Sequence, residues 1–369
     1  MCITGLSSEE KIMQIAKNLK INQAILVTNL EEISYILNLR DFSIPYSSKI
    51  KSGKYILTSK GGKLLDKIEV GEDIDTVYID KNTINAYDYS LLGEKVTSLK
   101  TNYIKEMKSV KTKEEIEHYK KCFERTDKAL FATREYIEQN ENLSEFDIAA
   151  KLEENFYKYG AISLSFKFIV AKDKNAALAH YSKNSPTEIL KDGSLVLIDC
   201  GAYYEGGYAT DITRVFVKGK PSNLQKKVYT VVLKGFLKAF RKKLTPDTSG
   251  FSLDKAAREI VNKNAPKGFE FSHSLGHGIG ISVHESPPNL AFSPVAKSPL
   301  KVNMCFTIEP GLYDASHFGV RLENSCYLAQ EGKKLIIKSF SDMCFEEKLI
   351  DFDLLSLTEK KQLKMFKVK

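Results

Sequence analysis

Histidines and glycines alternate in one stretch of the chain, residues 271–285, which reads FSHSLGHGIGISVHE. It holds His273, His277 and His284, three of the six histidines in the sequence. Glycine lets the backbone approach other groups closely and adopt positive φ angles. A glycine-rich histidine cluster is therefore more typical of a site lining than of a packed helix face, and imidazoles serve in metal binding and acid–base chemistry. Taken alone, the stretch also fits solvated or core histidines in a loop.

Four carboxylates occur in strand-like contexts that could bring them to one place. Asp199 lies at the end of the apolar run SLVLIDC, and Asp211 opens DITRVFV after the glycine turn at residues 205–207. Glu309 ends FTIE, and Glu323 ends GVRLE, which we expect to be a further strand. A carboxylate at the end of a buried strand is costly unless it is paired or metal-bound. Each acid alone is better explained as a satisfied polar residue, but their order and contexts favour a shared site.

Together with His277, these acids would form a site made mostly of oxygen donors. Such ligands suit Mn²⁺ or another first-row divalent ion, and four carboxylates can bridge two ions. The residues therefore predict a site for a divalent metal ion, with enough carboxylates to bridge two.

Two regions must position these residues. In residues 1–110, short apolar runs alternate with helical patterns, which predicts a small α/β domain with a mixed sheet. The expected elements are helices at 9–19 and 31–39 and strands at 25–28, 55–58 and 77–79. Residues 111–369 are predicted to form a second domain. Its expected elements are helices at 112–139, 144–159, 224–244 and 253–262 and strands at 166–171, 194–200 and 212–217.

Composition limits the classes of function. The chain is 43% hydrophobic and 28% charged, and its net charge of +8 is spread along a lysine-rich sequence. Without an arginine-rich or basic–aromatic block, nucleic-acid binding has little support. No run reaches the roughly 18 apolar residues of a membrane span. The cysteines, including Cys2, show no framework spacing, so we expect free thiols in a reducing cytoplasm. His118, in a charged helical pattern, is expected to be an exposed surface histidine.

The stretches LVLIDCGAYYEGGYATDITRVF, HSLGHGIGISVHE, FTIEPGLY, GVRLEN and NAALAHYS resemble the pita-bread metallopeptidases. That resemblance implies an α+β fold with a C-terminal pita-bread catalytic domain and a smaller, creatinase-like N-terminal α/β domain. It implies that two divalent metal ions, Mn²⁺ first with Co²⁺ or Zn²⁺ as alternatives, are held by Asp199, Asp211, His277, Glu309 and Glu323. It further implies that Glu309 is catalytic as well as a ligand, and that His180, His273, His284, Arg321 and Tyr313 surround the substrate.

Within that family, EEISYILNLRDFSIPYSS and the C-terminal tail are similar to the long cytosolic aminopeptidases P. The resemblance implies a homodimeric enzyme that releases the first residue of peptides with proline in second position. Arg40 becomes a candidate substrate contact, although a surface arginine closing a helix explains it equally well. Prolidase, restricted to Xaa-Pro dipeptides, is the nearest alternative, and an inactive pita-bread binding protein is another. The Asp199–Asp211 spacing is one residue longer than the usual family pattern, with the extra residue in the 205–207 turn.

Overall fold

The computed structural model describes residues 3–366, which form two regions of different architecture. Of the predicted free thiols, Cys2 lies outside the described residues. The other cysteines are free, as expected: Cys122, Cys200, Cys305, Cys326 and Cys344. Within residues 3–366, no helix combines the length and the apolar character needed to cross a membrane.

The first region is built around a five-stranded mixed sheet. Its elements are α1 (Ser8–Ala16), β1 (Gln23–Val27), α2 (Leu30–Leu37), β2 (Lys54–Thr58), β3 (Gly61–Leu65), β4 (Thr76–Ile79), α3 (Ala86–Ser90), β5 (Val96–Ser98) and α4 (Tyr103–Ser109). The strand order is β3-β2-β1-β4-β5. β1 pairs in parallel with β4 and antiparallel with β2. The apolar run of β1 therefore lies at the centre of the sheet, where a strand is covered on both faces.

Longer helices characterise the second region. They are α5 (Lys113–Gln139), α6 (Glu145–Lys158), α7 (Asn223–Phe240) and α8 (Gly250–Asn264), and a short helix, α9 (Leu357–Leu363), follows the last strand. Short 3₁₀ segments occur at Gly93–Lys95 in the first region and, in the second, at Asp173–Ala177, Pro294–Ala296, Glu347–Leu349, Phe352–Leu354 and Lys364–Phe366. Thr112 and Glu115 form a capping box at the start of α5. Such a box satisfies two of the otherwise unpaired N–H groups of the first turn, which fixes where the helix begins.

The strands of the second region form small antiparallel sheets that surround the predicted site. They are β6 (Ser163–Leu164), β7 (Ile169–Lys172), β8 (Leu195–Cys200), β9 (Ala202–Tyr203), β10 (Ile212–Val217), β11 (Gly276–His277), β12 (Asn289–Leu290), β13 (Cys305–Ile308), β14 (Gly311–Tyr313), β15 (Gly319–Arg321), β16 (Asn324–Glu331) and β17 (Lys334–Ser339). The two larger sheets have the orders β10-β8-β7 and β13-β16-β17. α7 and α8 share one buried apolar core with these sheets, including Val232, Phe236, Leu253 and Phe306.

The structure corrects several expected strand and helix limits. Glu323 lies between β15 and β16, not within a strand, and Glu309 follows the end of β13. Asp211 likewise comes just before β10. These acids lie just outside the residues that pair in strands, so their side chains are free to point toward a common centre. The helix predicted to reach residue 244 ends at Phe240.

The two regions share one hydrophobic core. Ile25 and Tyr35 of the first region belong to the same buried cluster as Tyr208, Ile279 and Phe340 of the second. Only a short connection separates α4 from α5. The division into domains 1–110 and 111–369 stays a proposal, because apolar packing continues across it.

Candidate metal centre

Register places the two aspartates beside each other. β8 and β10 pair antiparallel, with Thr213 opposite Asp199 and Ile212 opposite Cys200. Asp211, one step before β10, therefore lies next to the end of β8. The connection between these strands is not a simple tight hairpin, since β9 intervenes and pairs with β6.

His277 faces two of the predicted acids. Its Nε2 atom lies 3.5 Å from Asp211 Oδ2 and 3.5 Å from Glu309 Oε1. Its Nδ1 atom lies 3.0 Å from the carbonyl oxygen of Gly278. An N–H at Nδ1 that donates to this carbonyl leaves the Nε2 lone pair directed at the carboxylates, as in metal-binding histidines.

Close backbone contact holds His277 in this position. The His277 N–H donates to Thr307 Oγ1 at 3.1 Å, and that hydroxyl lies 3.3 Å from Glu309 Oε1. A Cβ atom on Gly276 would lie 2.1 Å from the Thr307 carbonyl oxygen. Glycine is therefore required at residue 276 if β11 is to approach β13 this closely.

The carboxylates of the site outnumber the positively charged side chains that contact them. Asp199 Oδ1 and Glu323 Oε1 are buried and have no hydrogen-bond partner among the described residues. Burial and neighbouring carboxylates, including Asp199, raise the pKa of Asp211 and Glu323 well above the usual range, and burial also raises that of Glu309. Ligand atoms of Asp211, His277 and Glu323 lie within 4.8 Å of one another. Unpartnered oxygen atoms and crowded acids fit a divalent cation, which would supply the missing charge.

A hydrogen-bonded chain runs along the wall of the centre. Arg321 Nη2 donates to Asp199 Oδ2 at 2.6 Å, and Nη1 donates to the Tyr313 hydroxyl at 2.9 Å. That hydroxyl also lies 2.7 Å from His273 Nε2. Burial, followed by the charge of Arg321, lowers the pKa of His273 to about 4, so its imidazole is neutral at pH 7. Thr213 accepts from Arg321 Nε at 3.3 Å and donates to Glu323 at 2.8 Å.

The centre opens into a cavity of about 700 Å³. Its lining includes the five predicted ligands together with His180, His273, His284 and Arg321. The His284 ring stands 4.2 Å from the His277 ring, centroid to centroid, at an interplanar angle of 84°. His180, His273 and His284 thus lie beside the carboxylate cluster.

Comparison with known proteins identifies the architecture. A model of metallopeptidase family M24 matches residues 117–330, more than half of the chain. The chain belongs to metallopeptidase family M24. The structure superposes on an X-prolyl aminopeptidase from Caenorhabditis elegans with a TM-score of 0.85 at 23% identity, covering 98% of this chain and 68% of the other. An X-Pro aminopeptidase from Thermotoga maritima gives a TM-score of 0.75 at 27% identity, covering 92% and 99%. The expected α+β pita-bread fold is confirmed.

Two of the curated relatives similar to this chain carry different enzyme names. A probable Xaa-Pro aminopeptidase P from Aspergillus niger is 30% identical over 367 residues. The match covers 87% of this chain but only 59% of that relative's length. An Xaa-Pro dipeptidase from Pyrococcus furiosus is 38% identical over 236 residues, which is 64% of this chain and 65% of the relative. This M24 chain therefore resembles both enzyme types.

Arg40 does not line the cavity of this M24 chain, and its role as a substrate contact stays a prediction. Its guanidinium donates to the carbonyl oxygens of Ser34, Leu39 and Gly206 at 2.8–2.9 Å. Arg40 therefore binds the turn that carries the extra residue between the two aspartates. Backbone carbonyls at the end of α2 and in this turn therefore accept from the Nε and Nη1 atoms of Arg40.

The same turn also changes the interpretation of His118. This residue is half-buried, and its Nε2 atom contacts the Glu205 carbonyl oxygen. The expectation of an exposed surface histidine was wrong, because α5 packs against the 205–207 turn.

Two residues near the candidate metal centre were not predicted from the sequence. Glu285 and Lys111 form a buried ion pair at the back of the loop that carries His284. Glu285 stands within the histidine-rich stretch, so its position offered a signal. Lys111 is one lysine among many, and no spacing pattern distinguishes it.

Proposed function

We propose that this chain is a metallo-aminopeptidase that hydrolyses Xaa-Pro bonds and releases the N-terminal residue of peptides with proline in second position. The observation that carries the proposal is the convergence of His277 with crowded, partly unpartnered carboxylates on the wall of an open cavity. The names of the Aspergillus and Caenorhabditis relatives support the Xaa-Pro substrate class.

The proposed ligands of two divalent ions are Asp199, Asp211, His277, Glu309 and Glu323. The Caenorhabditis enzyme is described as having a di-nuclear active site, which supports the stoichiometry of two. Mn²⁺ is our first choice from the oxygen-rich donor set, with Co²⁺ or Zn²⁺ as alternatives. When bound, such ions would make a water molecule more acidic and polarise the scissile carbonyl.

The protein's own side chains then bind the substrate and transfer the proton of the attacking water. Glu309, at the cavity wall, can accept the proton of the attacking water and pass it to the leaving nitrogen of proline. His273, His180 and His284 can hydrogen-bond the peptide backbone or the developing oxyanion. Arg321 and Tyr313 orient Asp199 and His273, because their donors already contact these two side chains.

We further propose a cytoplasmic homodimer that acts on peptides and binds no nucleic acid. Free thiols at all the described cysteines fit a reducing compartment. The Caenorhabditis relative is described as cytosolic, which supports the same location.

A dipeptidase is the second candidate, because the Pyrococcus relative has that name and a higher identity over its matched segment. The residues after His284-Glu285 favour the aminopeptidase. Some short prolidases resemble this chain there but carry an arginine that holds the dipeptide carboxylate, whereas this sequence has Pro287 and Pro288.

One experiment tests both candidates. Protein depleted of metal and refilled with Mn²⁺, Co²⁺ or Zn²⁺ is assayed on an Xaa-Pro dipeptide and on a longer peptide led by Xaa-Pro. We expect Mn²⁺ to restore release of the first residue from the longer peptide. Activity on the dipeptide alone would favour the dipeptidase. Absence of hydrolysis with every metal would overturn the proposal in favour of an inactive binding protein.

A further inference from the structure

Four charged side chains form a buried cluster behind the loop that carries His284. Lys111 Nζ donates to Glu285 Oε1 at 2.5 Å. Lys108 Nζ lies 3.6 Å from Glu285 Oε2 and 2.6 Å from Glu31 Oε1. Glu285, Lys108 and Lys111 are each no more than 3% exposed. These two carboxylates and two ammonium groups balance in formal charge.

The loop from Gly278 to Pro288 closes around the Glu285 carboxylate. Glu285 Oε2 accepts the N–H of Ile281 at 3.0 Å, and the Glu285 N–H donates to the Gly278 carbonyl at 2.8 Å. A Cβ atom on Gly280 would lie 1.9 Å from Glu285 Oε2. The backbone is therefore folded directly onto this carboxylate, and the path of the loop depends on where the carboxylate is held.

Lys111 connects the Glu285 carboxylate to the segment that leads into β13, next to the candidate metal centre. The Lys111 N–H donates to the Asn303 carbonyl at 3.0 Å, and the preceding Val110 forms a bridge with Met304, just before β13. β13 ends next to Glu309. The ion pair thus ties the His284 loop to the strand that carries a proposed ligand.

Burying this ion pair costs free energy, and the need to fill the core does not by itself explain why charged residues occur here. Burial opposes ionisation of Glu285, but Lys108 and Lys111 outweigh it and hold the pKa of the carboxyl below its usual range. Well-packed apolar residues can replace buried ion pairs without loss of stability in many proteins. A role in fixing one loop conformation accounts for charged residues here.

We propose that Glu285 is a positioning residue that holds His284 against the centre, with Lys111 as the cation that fixes Glu285. His284 directly precedes Glu285 in the chain, and its ring contacts His277 at the cavity wall. This inference rests on the proposed function, since it assigns a positioning role within the same reaction.

The test is a double-mutant comparison in the presence of excess metal. Glu285→Gln should lower kcat about 10- to 100-fold, as expected when a catalytic side chain shifts by about 1 Å, and leave KM and metal content unchanged. In a His284→Ala background, Glu285→Gln should lower kcat by less than about 2-fold, because the residue through which it acts is already absent. Equal losses in both backgrounds would show a general structural role and overturn the proposal.

Further variants guard against loss of folding. Lys111→Arg should retain most of the kcat that Lys111→Gln loses, since it preserves the buried positive charge. Asp88→Asn is the matched control, because Asp88 is a buried carboxylate paired with Lys54 at 3.3 Å away from the cavity. It should leave kcat unchanged. If Glu285→Gln and both Lys111 variants all fail to fold, the pair is a structural core element and the positioning role is wrong.

A crystal structure of Glu285→Gln provides a measurement that does not depend on turnover. The His284 ring should move away from its 4.2 Å contact with His277. An unchanged ring position would overturn the inference even if the proposed function holds. An inactive unmodified protein would instead count against the proposed function alone.

Discussion

The guanidinium of Arg321 binds the carboxylate of Asp199 across 2.6 Å, and both side chains line the cavity. The same guanidinium contacts Tyr313 and Thr213, so each of its three nitrogen atoms has a partner. A residue expected to bind substrate is therefore also the support of a proposed metal ligand.

Arg321→Lys is predicted to lower turnover about 100-fold, because one ammonium group cannot replace a planar guanidinium that serves three partners. Tyr313→Phe removes only the hydroxyl and should have a smaller effect, about 10-fold. Steady-state kinetics with added Mn²⁺ measures both. An Arg321→Lys variant with unchanged turnover would show that the contact with Asp199 is dispensable.

Glu309→Gln and His277→Ala are each predicted to abolish hydrolysis and leave the protein folded. Either change removes a proposed ligand, and Glu309→Gln also removes the proton acceptor, so losses of several orders of magnitude are expected. Turnover, metal content and circular dichroism check the result. His317→Ala is the control, since His317 is exposed and pairs with Asp314 at 3.1 Å. Retention of more than about a tenth of the turnover after metal addition would refute the assigned roles.

Arg40→Lys is predicted to destabilise the protein by about 1–3 kcal/mol, because the single ammonium of lysine does not reproduce the planar fork with which the guanidinium reaches three separate carbonyls. The KM for Xaa-Pro peptides should not change, because Arg40 lies outside the cavity lining. Arg125→Lys is a matched control on the same turn. Arg125 forms an exposed ion pair with Glu205, whose loss should cost at most about 1 kcal/mol. A raised KM with unchanged stability would support the substrate role of Arg40.

The pH dependence of stability should change in Asp127→Asn. Burial raises the pKa of Asp127 to about 6, although Ser341 and the Asp342 N–H donate to its carboxylate. The folded protein then binds a proton that the unfolded chain releases near pH 4, so this contribution to stability is lost as pH rises from about 4 through 6.

Asparagine does not ionise, so the stability of the variant relative to the unmodified protein should increase between pH 5 and pH 7.5. Chemical denaturation at both pH values measures the difference. A difference that is constant with pH would contradict the raised pKa.

Local sequence signals predicted much of the fold. The Thr112–Glu115 capping box marked the start of α5, and the apolar run before Asp199 marked β8. The family motifs also selected the acids that the structure brings together with His277. Their roles as metal ligands stay a prediction.

The partners of individual lysine and arginine side chains could not be predicted, because they depend on the path of the chain in three dimensions. Nothing near Arg40 in the sequence indicates that it binds the Gly206 carbonyl. Lys111 and Glu285 likewise lie far apart in sequence, and each belongs to a residue type that is common on surfaces. Periodicity locates helices and strands but carries no information about such long-range pairs.

Because Ile25 and Tyr35 share an apolar core with Tyr208, Ile279 and Phe340, we expect the two regions to unfold as one cooperative unit. Ser48 adds to this, because its hydroxyl lies within hydrogen-bond distance of the Gly207 and Ile281 carbonyls, at 2.7 and 3.1 Å. Slowly exchanging backbone amides should therefore be found on both sides of residue 110, and they should be lost together. Any protein that inherits residues 111–369 by recombination must also inherit, or replace, the apolar surface that covers them.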